Sequence, residues 1–264
     1  MFESLSGYMR YLTILGCALF FAASSYGADR GFDFAHDGER IVVRINLQDD
    51  LKLRQMKAIY RSTVCTFSDY TASGVEYKRD GYNNTVLQPS QEGESDIYTA
   101  IVAADGGGAC QWKLSNLTFG VDYKYPELFG SDFQVSGAGG VSVAFDDNRP
   151  QHGASHELVE GDLDIIEDYY LWVSDRAGWQ PRKFVGLFSN NDIYLSYKAK
   201  HAKSIYFEPR LYSDYVVHSS FPEVKVKGSR SVFTYPDGSV VSDGSDSPDY
   251  NKLQCIRLAS GCKD

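Results

Sequence analysis

Glu157, Glu160, Asp162, Asp164, Glu167 and Asp168 crowd one short run, and Tyr169, Tyr170 and Trp172 follow directly. Paired carboxylates are the machinery of glycoside hydrolysis, and an exposed aromatic beside them stacks on a sugar ring or anchors a protein interface. Strand alternation sends Tyr169 and Tyr170 to opposite faces, so one of the two is expected at the surface. Glu167, Asp168, Tyr169, Tyr170 and Trp172 are therefore the candidate binding residues. The plainer reading of so many acids is a solvated strand edge that resists aggregation.

Other chemistry-bearing clusters are weaker. His152 and His156 stand at i and i+4 with Asp146, Asp147, Glu157 and Glu160 nearby, but Pro150 and Gly153 disfavour the helix that would aim both imidazoles at one zinc ion. A polar surface loop is expected there. Asp237, Asp243, Asp246 and Asp249 sit in oxygen-rich loops without EF-hand spacing, which reads as turn and cap chemistry. No Gly-x-Ser-x-Gly elbow surrounds a serine, and Ser142 lies within a strand pattern. His201 and His218 have no acid or nucleophile beside them in sequence. No catalytic residue, metal or cofactor is assigned.

The cysteines carry the clearest structural information. Arg10 precedes an uncharged run from Tyr11 to Ala23, followed by Ser25 and Gly27 at the −3 and −1 places of a cleavage before Ala28. This is the pattern of a secretory signal peptide over residues 1–27. A rival reading takes Ile14-Leu15-Gly16-Cys17 as a partial lipobox with Cys17 lipidated. Cleavage near Gly27 leaves Cys65, Cys110, Cys255 and Cys262, which in an oxidising compartment read as two disulfides. Cys65–Cys110 joins two apolar strands and Cys255–Cys262 closes a short loop, so these pairings are favoured.

A formal net charge of −9 over 264 residues, with no basic stripe, argues against a nucleic-acid partner. The densest basic stretch, Lys225 to Arg230, alternates with Val226 and Gly228 as the wet face of a strand would. No later segment is long and apolar enough to span a bilayer. The acceptor patterns Asn83-Asn84-Thr85 and Asn116-Leu117-Thr118 do not decide the source, whereas the compact leader points to a bacterial periplasm.

Stepping along the chain, alternation predicts strands at Arg40–Leu47, Ala58–Phe67 and Asp96–Ala103, with Asp105-Gly-Gly-Gly108 turning the last of these into a hairpin with Cys110–Ser115. Further strands are expected at Gln134–Phe145 and Asp162–Trp172, at Ile193–Tyr197 and Ser204–Glu208 as hairpin arms, and at Tyr215–His218, Val224–Val226 and Ser231–Thr234. Ser247 as N-cap, Pro248 at the first position and Gly261 beyond the last apolar residue predict a C-terminal helix with Tyr250, Leu253 and Ile256 on its buried side.

The class expected is all-β. Cys65 and Cys110, on an early and a late strand, resemble the inter-sheet disulfide of an immunoglobulin-like domain, with Tyr77 or Tyr82 where that pattern has Trp and Trp112 after the second cysteine instead. The resemblance implies an immunoglobulin-like β-sandwich over 28–125, and Pro126 and Gly130 mark the start of a second β-rich domain over 126–264. The function expected is non-catalytic binding of another protein after export, for example as an immunity or inhibitor protein that blocks a toxin or hydrolase. The alternatives are binding or hydrolysis of cell-wall or surface glycan, and a structural role in a surface appendage.

Overall fold

A computed structural model describes residues 30–176, 182–191, 193–221 and 230–259. The signal peptide expected over 1–27 with Cys17, the expected partner cysteine Cys262 and the strand expected at Val224–Val226 lie outside these residues. The described chain forms strands β1 (Arg40–Asn46), β2 (Leu51–Leu53), β3 (Met56–Tyr70), β4 (Glu76–Leu87), β5 (Ser90–Gln91), β6 (Ile97–Ala103), β7 (Asp105–Gly107), β8 (Trp112–Tyr123) and β9 (Gln134–Gly137). It continues with β10 (Gly140–Ala144), β11 (Glu157–Leu158), β12 (Leu163–Arg176), β13 (Arg182–Phe188), β14 (Tyr194–Lys198), β15 (Ser204–Phe221), β16 (Val232–Thr234) and β17 (Val240–Val241). The helix α1 (Tyr250–Leu258) closes the series, and among the described residues the fold is all-β apart from this helix and a 3-10 turn at Pro126–Phe129.

The strands build two sheets. One runs β5-β6-β1-β15-β12-β13-β9, with β16 joined to β15 and β17 to β16. The other runs β11-β14-β10-β8-β3-β4, with β2 and β7 also paired to β8. Their apolar faces meet in a common core. Ile41, Val43 and Ile45 of β1, Ile165 and Leu171 of β12, and Ile205 and Phe207 of β15 pack with Met56 and Tyr60 of β3, Phe119 of β8 and Val143 of β10. The rings of Phe119 and Phe207 lie 6.0 Å apart across the layers. The Tyr60 hydroxyl donates to the Ala103 carbonyl at 2.7 Å, and burial pushes its pKa up to about 12.

Both sheets take strands from either side of residue 125. In one sheet β1 pairs in parallel with β15, and in the other β10 pairs with β8. Neither the sheets nor the core divides where Pro126 suggested a boundary. The immunoglobulin arrangement is not what the pairing shows either. Five of the strand pairs are parallel, whereas that fold is built of antiparallel sheets. The Cys65–Cys110 disulfide is present, as its apolar flanks suggested. It ties β3 to the turn before β8, however, and these are neighbours in the same sheet.

Two expected hairpins are instead crossings between the layers. β6 pairs with β1 and β5, then the chain passes through Ala104 into the other sheet, where β7 pairs with β8. The glycine turn closes β7 on β8, with Gly107 and Gly108 at φ 54° and 68°. Likewise β14 lies in one sheet and β15 in the other. Local alternation marks a strand but carries no record of which layer its partner occupies.

α1 starts slightly later than expected. Asp249 is its N-cap, and its side chain accepts from the Lys252 amide, in place of Ser247 with Pro248 at the first position. Leu253 is fully buried and packs with Tyr170, Val217, Phe233 and Tyr235 in a second, smaller core on the outer side of the nine-stranded sheet. Among the described residues Cys255 has no disulfide partner. No helix among the described residues is long and apolar enough to cross a membrane.

Candidate functional site

Strand alternation along β12 separates the residues singled out from sequence, as expected, but both of its faces are covered over Glu167–Trp172. Leu163, Ile165, Tyr169, Leu171 and Val173 belong to the main core, and Glu167 follows their parity. Tyr169 is 1% exposed and its hydroxyl has no hydrogen-bond partner among the described residues. Burial raises its pKa, with the Glu167 charge adding to the effect. Glu167 accepts from the Asn191 amide at 3.0 and 3.1 Å, and burial raises its pKa above the usual carboxyl range. Tyr197 of β14 is pushed up to about 12 by burial, with the charges of Glu157 and Glu167 adding to it. A carboxyl held in this way can keep or pass a proton.

The other face carries Asp168, Tyr170 and Trp172. Asp168 accepts from Arg257 Nη2 and Gln254 Nε2, each at 3.3 Å, and from the Tyr212 hydroxyl at 3.3 Å. Arg257 Nε donates to the Tyr170 hydroxyl at 2.9 Å, and the guanidinium lies 4.0 Å over the Tyr212 ring. Tyr170 is 0% exposed. Trp172 donates to Ser219 Oγ at 2.7 Å and meets Phe184 edge-on at 5.2 Å. The expectation that Tyr169 or Tyr170 reaches the surface is therefore corrected: α1 buries the face that would have carried it.

The histidine cluster does not converge. His152 stacks on Tyr194 at 4.2 Å while its backbone bonds Ser142 and Ser196. His218 packs against Phe129. The carboxylates of Asp237 and Asp243 accept from Ser239 and Ser245, the use that turns make of them. Among the described residues no three His, Cys, Asp or Glu side chains are grouped as metal ligands would be. Asn116 is 3% exposed within β8, so its acceptor tripeptide lies inside the folded chain.

A different region presents side chains outward. β3 follows β8 only as far as Arg61, opposite Lys113. Beyond that point β3 and β4 pair with each other alone, from Phe67 opposite Arg79 to Tyr70 opposite Glu76. The result is a two-stranded arm. Val64, Tyr70, Val75, Tyr77 and Tyr82 are all exposed along it, Tyr82 to 65%. Isolated hairpins are marginal in water, and this one is fastened at its base. The disulfide holds Cys65, Ser62 Oγ donates to the Cys110 carbonyl at 2.5 Å, and the register shifts between Ser62 and Phe67. Gly81 admits this shift, since a Cβ there would lie 1.8 Å from the Cys65 carbonyl oxygen.

Along the shaft, Asp69 accepts from Arg79 Nη1 at 2.7 Å and from the Tyr77 hydroxyl at 3.2 Å. The Arg79 guanidinium lies 5.3 Å over the Phe67 ring. The Arg79 hydrogen bond, before all else, holds the Asp69 carboxyl below its ordinary pKa. Such exposed pairs contribute little energy each, but together they order the strands. From Ser68 to Gln91 the sequence reads as turn-rich pieces, Ala72-Ser-Gly74, Arg79-Asp-Gly81 and Tyr82-Asn-Asn84, with short strands between them, because Asp, Gly and Asn interrupt the β-formers. In the structure only the first of these is a turn, and β4 runs unbroken through the other two.

Comparison of the chain with protein-family models, with curated proteins and with solved structures finds no match.

Proposed function

We propose that this chain is an exported, non-catalytic module that binds another protein, with the β3–β4 arm as its contact element. The observation that carries this reading is that Val64, Tyr70, Val75, Tyr77 and Tyr82 are all exposed, on both faces of a hairpin fastened at its base by a disulfide. Large apolar side chains gathered in the open on one protruding element suit an interaction surface. Tyr is also enriched where binding energy concentrates, because its large ring is ordered at small entropic expense. The disulfide suits an oxidising compartment such as the periplasm or the cell exterior. An immunity or inhibitor protein, presenting a stiff protrusion to a toxin or hydrolase, is the concrete form of this reading.

The test is affinity capture from the source cells with the chain from Ala28 to Asp264, run beside the Tyr70→Ser/Tyr77→Ser variant. One stoichiometric protein held by the wild type and lost from the variant is the expected result. An empty lane from folded wild type, or equal capture by both, overturns the reading.

A further inference from the structure

Register across the eight-stranded sheet fixes which side chains share its outer face. Tyr60 and Ala58 of β3 point to the core, so Lys57, Ile59 and Arg61 point outward. Tyr82 of β4, Arg61 and Lys113 of β8 form one row across the strands. Asn84, Ile59, Asn116, Ala144 and Lys198 form the next, and Val86, Lys57, Thr118, Ser142 and Ser196 the third. Towards β10 and β14 this face is closed, with Ser142, Ala144 and Ser196 buried and His152 held against Ser142 and Ser196. Along β3 and β4 it is open: Lys57, Tyr82, Asn84 and Val86 are exposed.

The cations on this face divide in the same way. Lys113 is paired with Asp105, and Lys198 with Asp147. Lys57 has no ion pair or hydrogen bond among the described residues, and Arg61 makes only the bond from Nε to Ser115 Oγ at 3.1 Å. His152 adds no charge to them at neutral pH, because burial and then the Lys57 charge hold its pKa below the ordinary value. A chain with a net charge of −9 therefore leaves two unneutralised cations on one open strip.

We infer that this strip takes an acidic, extended segment of the partner protein, with Lys57 and Arg61 each meeting a carboxylate. The inference rests on the protein-binding reading above and names the chemistry of the partner. Lys57 and Arg61 are four residues apart on one strand, about 13 Å at strand rise. Carboxylates at i and i+4 of an extended peptide repeat at that same spacing, so charge and period both match. The strip is continuous with the arm, since β3 and β4 form both, and Tyr82 stands between them. The paired acids at Lys113 and Lys198 set the limits of the site along the face.

The probe is a fluorescent ten-residue oligoglutamate, titrated at low salt into the full chain, with oligogalacturonate of equal charge as competitor. Binding is expected to weaken about tenfold or more in Lys57→Glu/Arg61→Glu, because reversal puts like charges opposite. It is expected to be unchanged in Arg182→Glu, which alters net charge by the same sign at an exposed position on β13 of the other sheet. Lys57→Gln/Arg61→Gln, with a smaller loss, serves if the reversal disturbs folding. No binding by wild type, equal binding by the variants, or displacement by oligogalacturonate at lower concentration than unlabelled oligoglutamate overturns the inference. Captured partner lost on changing Tyr70 and Tyr77 but kept on changing Lys57 and Arg61 sinks the acidic-segment assignment alone. Absence of any captured partner sinks the reading beneath it.

Discussion

The segment Tyr169–Trp172 and the β3–β4 arm are made of the same materials: tyrosines on strands, with carboxylates and guanidinium groups beside them. On the outer face of β12, Tyr170 packs at a tilt against Tyr212 and edge-on against Tyr250, Arg257 reaches Asp168, and α1 covers the cluster. On the arm, Arg79 reaches Asp69 across the Phe67 ring, and among the described residues no further segment covers Tyr70, Tyr77 or Tyr82. The difference lies in what packs on top, and the means of holding differ with it. The helix-covered cluster is held by burial, whereas the arm has almost no burial and is held by one covalent bond at its base. Composition alone marks both as binding candidates, and only the cover distinguishes them.

The sharpest way to break this contrast is to remove the covalent fastening. Cys65→Ser/Cys110→Ser frees a loop with a sequence separation of 45, and the chain-entropy relation puts the expected loss at about 4 kcal/mol. Scanning calorimetry should find Tm lower by roughly 10 °C. An unchanged Tm would mean that the core alone holds the arm.

Next in size is Leu253→Ala, which empties the centre of the small core under α1 and is expected to cost about 3 kcal/mol. Amide exchange should quicken in α1 and leave residues 56–87 unaltered. If both regions loosen together, they do not hold themselves by separate means.

The smallest effect concerns the inner face of β12. Burial raises the Glu167 pKa above its unfolded value, so the folded chain binds that proton more tightly than the unfolded chain does. The resulting destabilisation is absent below the unfolded carboxyl pKa and grows as pH rises through the folded one. Glu167→Gln should therefore raise Tm modestly at neutral pH and leave it unchanged near pH 4, about the unfolded carboxyl pKa. An equal shift at both, followed by thermal melts across pH, would show that packing and not ionisation is responsible.

Much of the secondary structure was legible locally. Ile41, Val43 and Ile45 alternate as a half-buried strand must, and β1 covers almost the range they mark. The apolar flanks of Cys65 and Cys110 gave the right pair. Leu253, Tyr250 and Ile256 gave the helix and its buried side. What stayed hidden depends on partners far along the chain. Nothing around Ala104 or Ala199 says that the next strand joins the opposite layer. Nothing in Tyr169–Trp172 says that residues 250–257 will lie over it. The exposure expected of Tyr169 or Tyr170 failed for that reason, since exposure belongs to the whole fold and not to the strand.

The position of β1 has a consequence for how the chain comes to be folded. Its two neighbours are β6 and β15, with Val43 opposite Ala100 on one side and Ile205 on the other. Synthesis must reach β15 before the second edge of β1 can be satisfied, and closing so long a loop is entropically slow. Until then the first half of the molecule is an unfinished sheet with an unpaired apolar strand, which favours chaperone capture or aggregation over early folding. Truncation before β15 is therefore incompatible with an autonomous N-terminal half.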